Sequence, residues 1–147
     1  MNTLHQKLPR AGIERELLRE KGQFWTPAWV AEAMVRYAIG GGSRSLFDPA
    51  VGDGAFFRAA KSIEKEAGHD LALLGTEIDP EVLQSALLKG LSADDLRGVQ
   101  SSDFLHYTPS VLYQAIVGNP PYIRHHRLSG TVKAELKAFA SRLERTS

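Results

Sequence analysis

Asn119-Pro120-Pro121-Tyr122 carries the most chemistry in the fewest residues of the 147-residue chain. It follows a short apolar run, Ala115-Ile116-Val117. Consecutive prolines cannot continue a strand ladder, so the stretch reads as a rigid turn that ends a strand. A turn alone is a sufficient explanation for it. At the carboxyl end of a strand in an open sheet, where ligands bind, the same turn offers more. It presents two fixed acceptors, the Asn119 side-chain oxygen and the Pro120 carbonyl, and an aromatic face, Tyr122. That combination suits a planar substrate bearing an NH2 group, since both hydrogens are held while the ring stacks.

A second constellation runs from Asp48-Pro49-Ala50 through Gly52 and Gly54 to Phe57. A Gly-x-Gly turn between a strand and a helix lets backbone come close to a ligand. A nicotinamide-binding fingerprint needs a third glycine where this chain has Phe57, which disfavours a dinucleotide. Asp48, ahead of the turn, suits a ligand with an ammonium or sulfonium group. Glu77 comes 25 residues after Gly52 at the end of the next apolar run, where a carboxylate can accept from both hydroxyls of a ribose. Beside it Ile78 can cover one face of an adenine ring, while Asp103 and Phe104 offer an acceptor for its amine and a second apolar face. Taken singly, each of these has a plain structural explanation as a tight turn, a solvated strand end, a helix cap or core.

The elements that must position these residues are marked by proline, glycine and apolar spacing. Thr26 before Pro27 predicts an N-cap and first helical residue for a helix over 27–39, which stops at three consecutive glycines. Strands are expected near 44–48 and 71–77, with helices over 54–67 and from Asp79-Pro80 onward. A weaker third strand is expected near 97–101, a fourth at 115–117, and a helix over 131–145. Ile13, Leu17 and Leu18 suggest a short helix in the first 21 residues. Short apolar strands alternating with helices imply parallel βαβ units. The expected fold is therefore α/β, a Rossmann-like, doubly wound, mostly parallel sheet.

Composition narrows the chemistry further. The balance of 43% hydrophobic and 24% charged residues is that of a globular domain, long enough for one core and too short for two catalytic domains. With no cysteine, disulfides, Fe–S clusters, Cys-based zinc sites and a cysteine nucleophile are all excluded. No apolar run approaches a membrane span and the amino terminus lacks a secretory signal, so a cytoplasmic location is expected. Charge is uneven: residues 1–122 hold 12 Lys and Arg against 15 Asp and Glu, a net −3, and residues 123–147 hold 6 against 2, a net +4. The basic end admits a polyanionic partner, and equally a solvated basic helix. The adjacent pair His125-His126 is not read as a metal site, because neighbouring histidines point apart and no further ligands accompany them.

Taken in order, GQFWTP (22–27), FDPAVGDGAFF (47–57), GTEIDP (75–80), SDFL (102–105) and IVGNPPYIR (116–124) resemble the blocks of amino-methyltransferases acting on DNA adenine. The order resembles the gamma class, and within it the modification enzymes of restriction systems that combine both activities in one polypeptide. The resemblance implies a class I methyltransferase fold and S-adenosylmethionine as methyl donor. Thr26 and Pro27, with Asp48, Pro49, Ala50, Gly52 and Gly54, would hold the methionine half of the donor. Glu77 would bind its ribose, and Ile78, Asp103 and Phe104 its adenine. Asn119, Pro120, Pro121 and Tyr122 would hold a target adenine flipped out of DNA, and Arg124 and Arg127 would contact phosphates.

The same resemblance sets an expectation of incompleteness. Such catalytic sheets have seven strands and this chain offers about four, with no target-recognition domain. The expected organisation is an amino-terminal helical segment over 1–21, a partial methyltransferase domain over 22–128 and a carboxyl-terminal helix over 129–147. DNA is the expected substrate, with a missing carboxyl-terminal half or a complementing chain as partner. Two other readings stand beside this one. The first is a methyltransferase for a protein glutamine or an RNA guanine, against which the GQFWTP block argues. The second is a non-catalytic cofactor-binding fragment.

Overall fold

The computed structural model of the protein describes residues 25–121 and 128–144. The described residues 25–120 form one compact unit, while 121 and 128–144 belong to a second. In chain order the first unit contains helix α1 (Ala28–Ile39), strand β1 (Ser45–Asp48), helix α2 (Ala55–Ala67), strand β2 (Ala72–Glu77), helix α3 (Pro80–Leu88), strand β3 (Val99–Ser101) and a single 3-10 turn (Phe104–His106). The second unit contains helix α4 (Gly130–Glu144), in which Arg142 lies over the Phe139 ring, 5.9 Å from its centroid. The expected helix among Ile13, Leu17 and Leu18 falls outside the described residues.

The three strands are parallel, in the order β1-β2-β3. Leu46 pairs with Leu73 and Asp48 with Gly75 on one side, and Glu77 pairs with Ser101 on the other. The fourth strand expected at 115–117 is reduced to one parallel bridge between Phe47 and Ile116. There the Phe47 N–H donates to the Ala115 carbonyl at 2.9 Å and the Val117 N–H donates to the Phe47 carbonyl at 3.0 Å. The reason is local, since Gly118-Asn119-Pro120-Pro121 follows at once and prolines have no N–H for a ladder. The sheet is thus three strands with a bridged fourth stretch on the β1 edge. Chain order runs outward from β1 through β2 to β3 and then returns to the other side of β1. That reversal is a topological switch point, where open sheets of this kind bind ligands.

Alternation along β1 divides the core. Leu46 and Leu73 join Ala31 and Val35 of α1, Phe56, Phe57, Ala60 and Ile63 of α2 and Ala86 of α3 in one buried cluster. Phe47 lies outside that cluster and is covered by aromatic rings from the loop after β3. Its ring stacks on Tyr113 at 4.1 Å and on Tyr107 at 5.8 Å, with Phe104 tilted at 6.3 Å, and the two tyrosine hydroxyls share a 2.6 Å hydrogen bond. Among the described residues this side of the sheet is covered by stacked rings rather than by a helix.

Helix ends follow the punctuation with one change. Asp79 caps α3 by accepting the Glu81 N–H at 3.0 Å, with Pro80 in the first turn. Gly54, at φ 82°, begins α2. A side chain there would also collide with the Leu91 methyl, which a Cβ would approach to 2.4 Å. At α1, however, Pro27 is itself the N-cap and its carbonyl accepts the Val30 and Ala31 N–H groups, each at 3.0 Å. Thr26, expected as the cap, is therefore released for another partner.

Candidate functional site

The carboxyl ends of β1 and β2 are joined through the glycine turn by a set of short bonds. The Asp48 Oδ1 accepts the Ala50 N–H at 2.9 Å. The Thr76 hydroxyl donates to the Pro49 carbonyl at 2.6 Å, and the Val51 N–H donates to the Thr76 carbonyl at 3.0 Å. Glu77 holds the turn from the other side: its Oε2 accepts the Gly52 N–H at 2.8 Å and its Oε1 accepts the Asp79 N–H at 2.9 Å. Glu77 is buried. A carboxylate oxygen has two lone pairs, so each can still receive a hydroxyl in addition to the backbone donor it already holds.

Glycine makes two of these approaches possible. A Cβ on Gly75 would fall 2.5 Å from a Val51 methyl and 2.6 Å from the Asp48 carbonyl, and one on Gly118 would press on the Pro49 ring at 3.0 Å. Gly118 stands directly before Asn119, so the prolyl turn is laid against the glycine turn. Asn119 is half-buried, and its Nδ2 donates to the Thr26 hydroxyl at 3.2 Å across 93 residues of sequence. Trp25, next to Thr26, takes the Lys89 ammonium over its ring at 4.8 Å. The same ammonium pairs with the buried Asp53 at 2.6 Å, and Arg58 donates to the Asp53 carbonyl.

The structure therefore brings Thr26, Asp48, Pro49, Ala50, Gly52, Glu77 and Asn119 together at the switch point. Pro120 and Pro121 continue the turn and are exposed. Asp103 and Phe104 follow the carboxyl end of β3. There Asp103 caps the 3-10 turn by accepting the Leu105 N–H at 2.9 Å. Ile78 and Phe104 are exposed over 65% and 49% of their surface. Tyr122, Arg124, Arg127 and the His125-His126 pair lie outside the described residues. Among those described, no group of histidines and carboxylates is arranged for a metal, and no helix is long and apolar enough to cross a membrane.

Sequence reasoning missed Gly75, Thr76, Gly118 and the Asp53–Lys89–Trp25 contact. Gly75, Thr76 and Gly118 sit inside quoted blocks and act on backbone rather than on a ligand, which motif chemistry does not reveal. A small residue just ahead of a rigid turn was the available signal for Gly118.

Asp48 is the electrostatic anomaly. It is fully buried, its Oδ2 has no hydrogen-bond partner, and burial pushes its carboxyl up to about 7. The Ala50 N–H works against that rise, and the nearby Glu77 charge adds to it. An orphaned buried acceptor next to a second carboxylate fits a cationic or hydrogen-donating ligand group. Because the side chain is covered, such a group reaches it only when the surrounding turns give way. The folded-state value lies above the unfolded value near 3.8, so the native state binds the extra proton between the two. The stability this confers is present below pH ~4 and is lost as pH rises through about 7. Asp48→Asn is expected to remove that dependence, read as the difference between the two chains' melting temperatures from pH 4 to pH 8. Identical slopes would remove Asp48 as the source.

Comparison with known proteins adds lineage to this geometry. The family described as N-6 DNA Methylase matches residues 14–143. The Type II methyltransferase M.XamI of Xanthomonas campestris pv. amaranthicola is 32% identical over 118 residues, 77% of this chain and 22% of that protein. M.HincII of Haemophilus influenzae is 28% identical over 116 residues, 79% of this chain and 20% of that protein. A Listeria monocytogenes protein assigned as a class I S-adenosylmethionine-dependent methyltransferase superposes with a TM-score of 0.53 at 18% identity, over 68% of this chain and 32% of that one. The fold is therefore of the class I type, and the chain spans about a fifth of the length of the curated relatives it matches.

Proposed function

We propose that this chain, which belongs to the N-6 DNA methylase family, forms the donor-binding and catalytic half of a DNA methyltransferase. Its cofactor is S-adenosylmethionine and its target is the exocyclic amine of an adenine flipped out of DNA. The observation that carries this reading is the Gly118–Asn119–Pro120 turn laid on the glycine turn at the switch point. Acceptor groups for an amine thereby lie beside the glycine turn and its two carboxylates, Asp48 and Glu77.

Bound there, the cofactor supplies an electrophilic methyl group. Thr26 and Pro27, with Asp48, Pro49, Ala50, Gly52 and Gly54, would hold its methionine half. Glu77 accepts from the ribose on the lone pairs left free by Gly52 and Asp79. Ile78, Asp103 and Phe104 take the adenine. The amine of the target base is a weak nucleophile because its lone pair is delocalised into the ring. Asn119 Oδ1 and the Pro120 carbonyl accept its two hydrogens, which favours a pyramidal nitrogen and stabilises the positive charge that develops on it. Fixing the two partners in line supplies the orientation term. Tyr122 stacks on the flipped base and Arg124 and Arg127 meet phosphates, roles that rest on the sequence alone.

DNA-target recognition, the remaining strands and membership of a restriction-modification system, in the cytoplasm, belong to the same proposal. The matched region is only about a fifth of each relative's length, so a further polypeptide, in the same or another chain, would complete the sheet and read the target sequence.

Calorimetric titration of the 147-residue chain with S-adenosylmethionine tests the donor half of this reading. Saturable one-to-one binding that strengthens as pH rises through about 7, with ionisation of Asp48, is expected. A folded chain that takes up no cofactor at any pH would overturn it.

A further inference from the structure

We propose that Lys89 is a positioning residue for the donor site: its ammonium ties Trp25, and with it the Trp25-Thr26-Pro27 segment, to the glycine turn. The inference rests on the reading of Thr26 and Pro27, together with that turn, as holders of the cofactor's methionine half.

The segment 25–27 precedes α1 and belongs to no strand or helix. Pro27 is fixed by the helix it caps. Trp25 lies two residues before that cap and is only half-buried, so a side-chain contact must hold it. Lys89 makes such a contact. Its Nζ lies 4.8 Å from the centroid of the Trp25 ring and 2.6 Å from the Asp53 Oδ2. One ammonium thus joins an indole ahead of α1 to a buried carboxylate between β1 and α2. The root of Lys89 is firm as well. It is the C-cap of α3, and Ala86 and Leu91, on either side of it in sequence, crowd Gly54, whose Cβ would fall 3.3 and 2.4 Å from them.

Two plainer roles for Lys89 predict something different. As counter-ion to Asp53 it is not alone, because Arg58 stands 3.6 Å from the same carboxylate and donates to the Asp53 carbonyl. Losing Lys89 therefore leaves Asp53 paired and should cost little stability. As a nearby charge, Lys89 would repel a cofactor whose ammonium, carboxylate and sulfonium leave it net positive, and its removal would tighten binding. A latch predicts the opposite sign. With Trp25 released, the segment moves in the free chain, and cofactor binding must then order it, which weakens affinity.

The test is calorimetric titration of the whole 147-residue chain with S-adenosylmethionine. Lys89→Met keeps the apolar stem and drops the charge. It should weaken affinity about 2- to 5-fold, the scale of one partly exposed cation–π contact, with an unchanged urea midpoint. Lys89→Arg should restore affinity, since a guanidinium stacks on an aromatic face and still pairs with a carboxylate. Lys65→Met removes the same charge at an exposed site and should leave affinity as it is. Proton resonances read the contact itself. The Lys89 ε-methylene should lie upfield of that of Lys65, under the indole ring current, and should lose that shift in Trp25→Leu.

Affinity unchanged or tightened in Lys89→Met would overturn the proposal. So would a methionine chain that unfolds, because Lys89 would then be the counter-ion that Asp53 requires. Lys89 and Lys65 methylene signals that coincide would remove the contact on which the proposal stands. An unaltered chain that binds no cofactor would overturn the reading of the donor site and this role with it. Equal binding by the unaltered and methionine chains would overturn the role of Lys89 alone.

Discussion

Asn119→Ala is expected to lower methyl transfer by about 100- to 1,000-fold, the usual effect of removing one oriented group that stabilises charge developing in the transition state. The loss belongs to the chemical step alone. Asn119 bonds to Thr26, whereas the glycine turn is held by Asp48, Thr76 and Glu77. Cofactor affinity should accordingly stay within about twofold of the unaltered chain. The check is single-turnover transfer of a labelled methyl group to DNA in the completed enzyme, with calorimetry of each chain beside it. Parallel loss of transfer and affinity would place Asn119 in the cofactor site and remove its acceptor role.

The second large effect is expected at Glu77. Glu77→Ala leaves the Gly52 and Asp79 N–H groups without this acceptor, and because both bonds are only part-buried each costs about 1 kcal/mol, a typical net hydrogen bond. The chain should lose about 2 kcal/mol of unfolding free energy on the same scale, read by urea denaturation, and cofactor affinity should fall by more than about tenfold. Glu77→Gln keeps one acceptor and should fall between the two. Stability unchanged in the alanine chain would mean that the glycine turn does not depend on this carboxylate.

The two expectations have different origins in the sequence. Asn119 was legible because Asn-Pro-Pro-Tyr can be understood from the chemistry of four adjacent side chains. Glu77 was legible as a carboxylate at a strand end but not as the fastener of the glycine turn, since that role depends on a backbone N–H 25 residues earlier. The helices followed Gly and Pro closely, because those residues act on their own φ angles whatever surrounds them. The Thr-Pro pair satisfies the local rule for a cap at Thr26, but α1 begins one residue later with Pro27 as its cap, and the Thr26 hydroxyl meets Asn119 instead. The fourth strand was overstated for a similar reason. Ala115-Ile116-Val117 has the composition of a strand, but a strand also needs donors beyond its last residue, and the prolines remove them. The stack of Phe47 on Tyr113 and Tyr107 left no periodic trace, being built from a loop of isolated rings.

The bridge between Phe47 and Ile116 also bears on the order in which the molecule assembles. Phe47 meets Leu74 across 27 residues of chain but meets Ile116 across 69. Closing the longer loop costs about 0.8 kcal/mol more in chain entropy, and it is repaid by one bridge rather than by a four-residue ladder. Loop closure therefore favours pairing of β1 with β2 ahead of the arrival of 115–117. On that ground a folding chain is expected to form the Gly52–Glu77 half of its site before Asn119 is laid on the glycine turn.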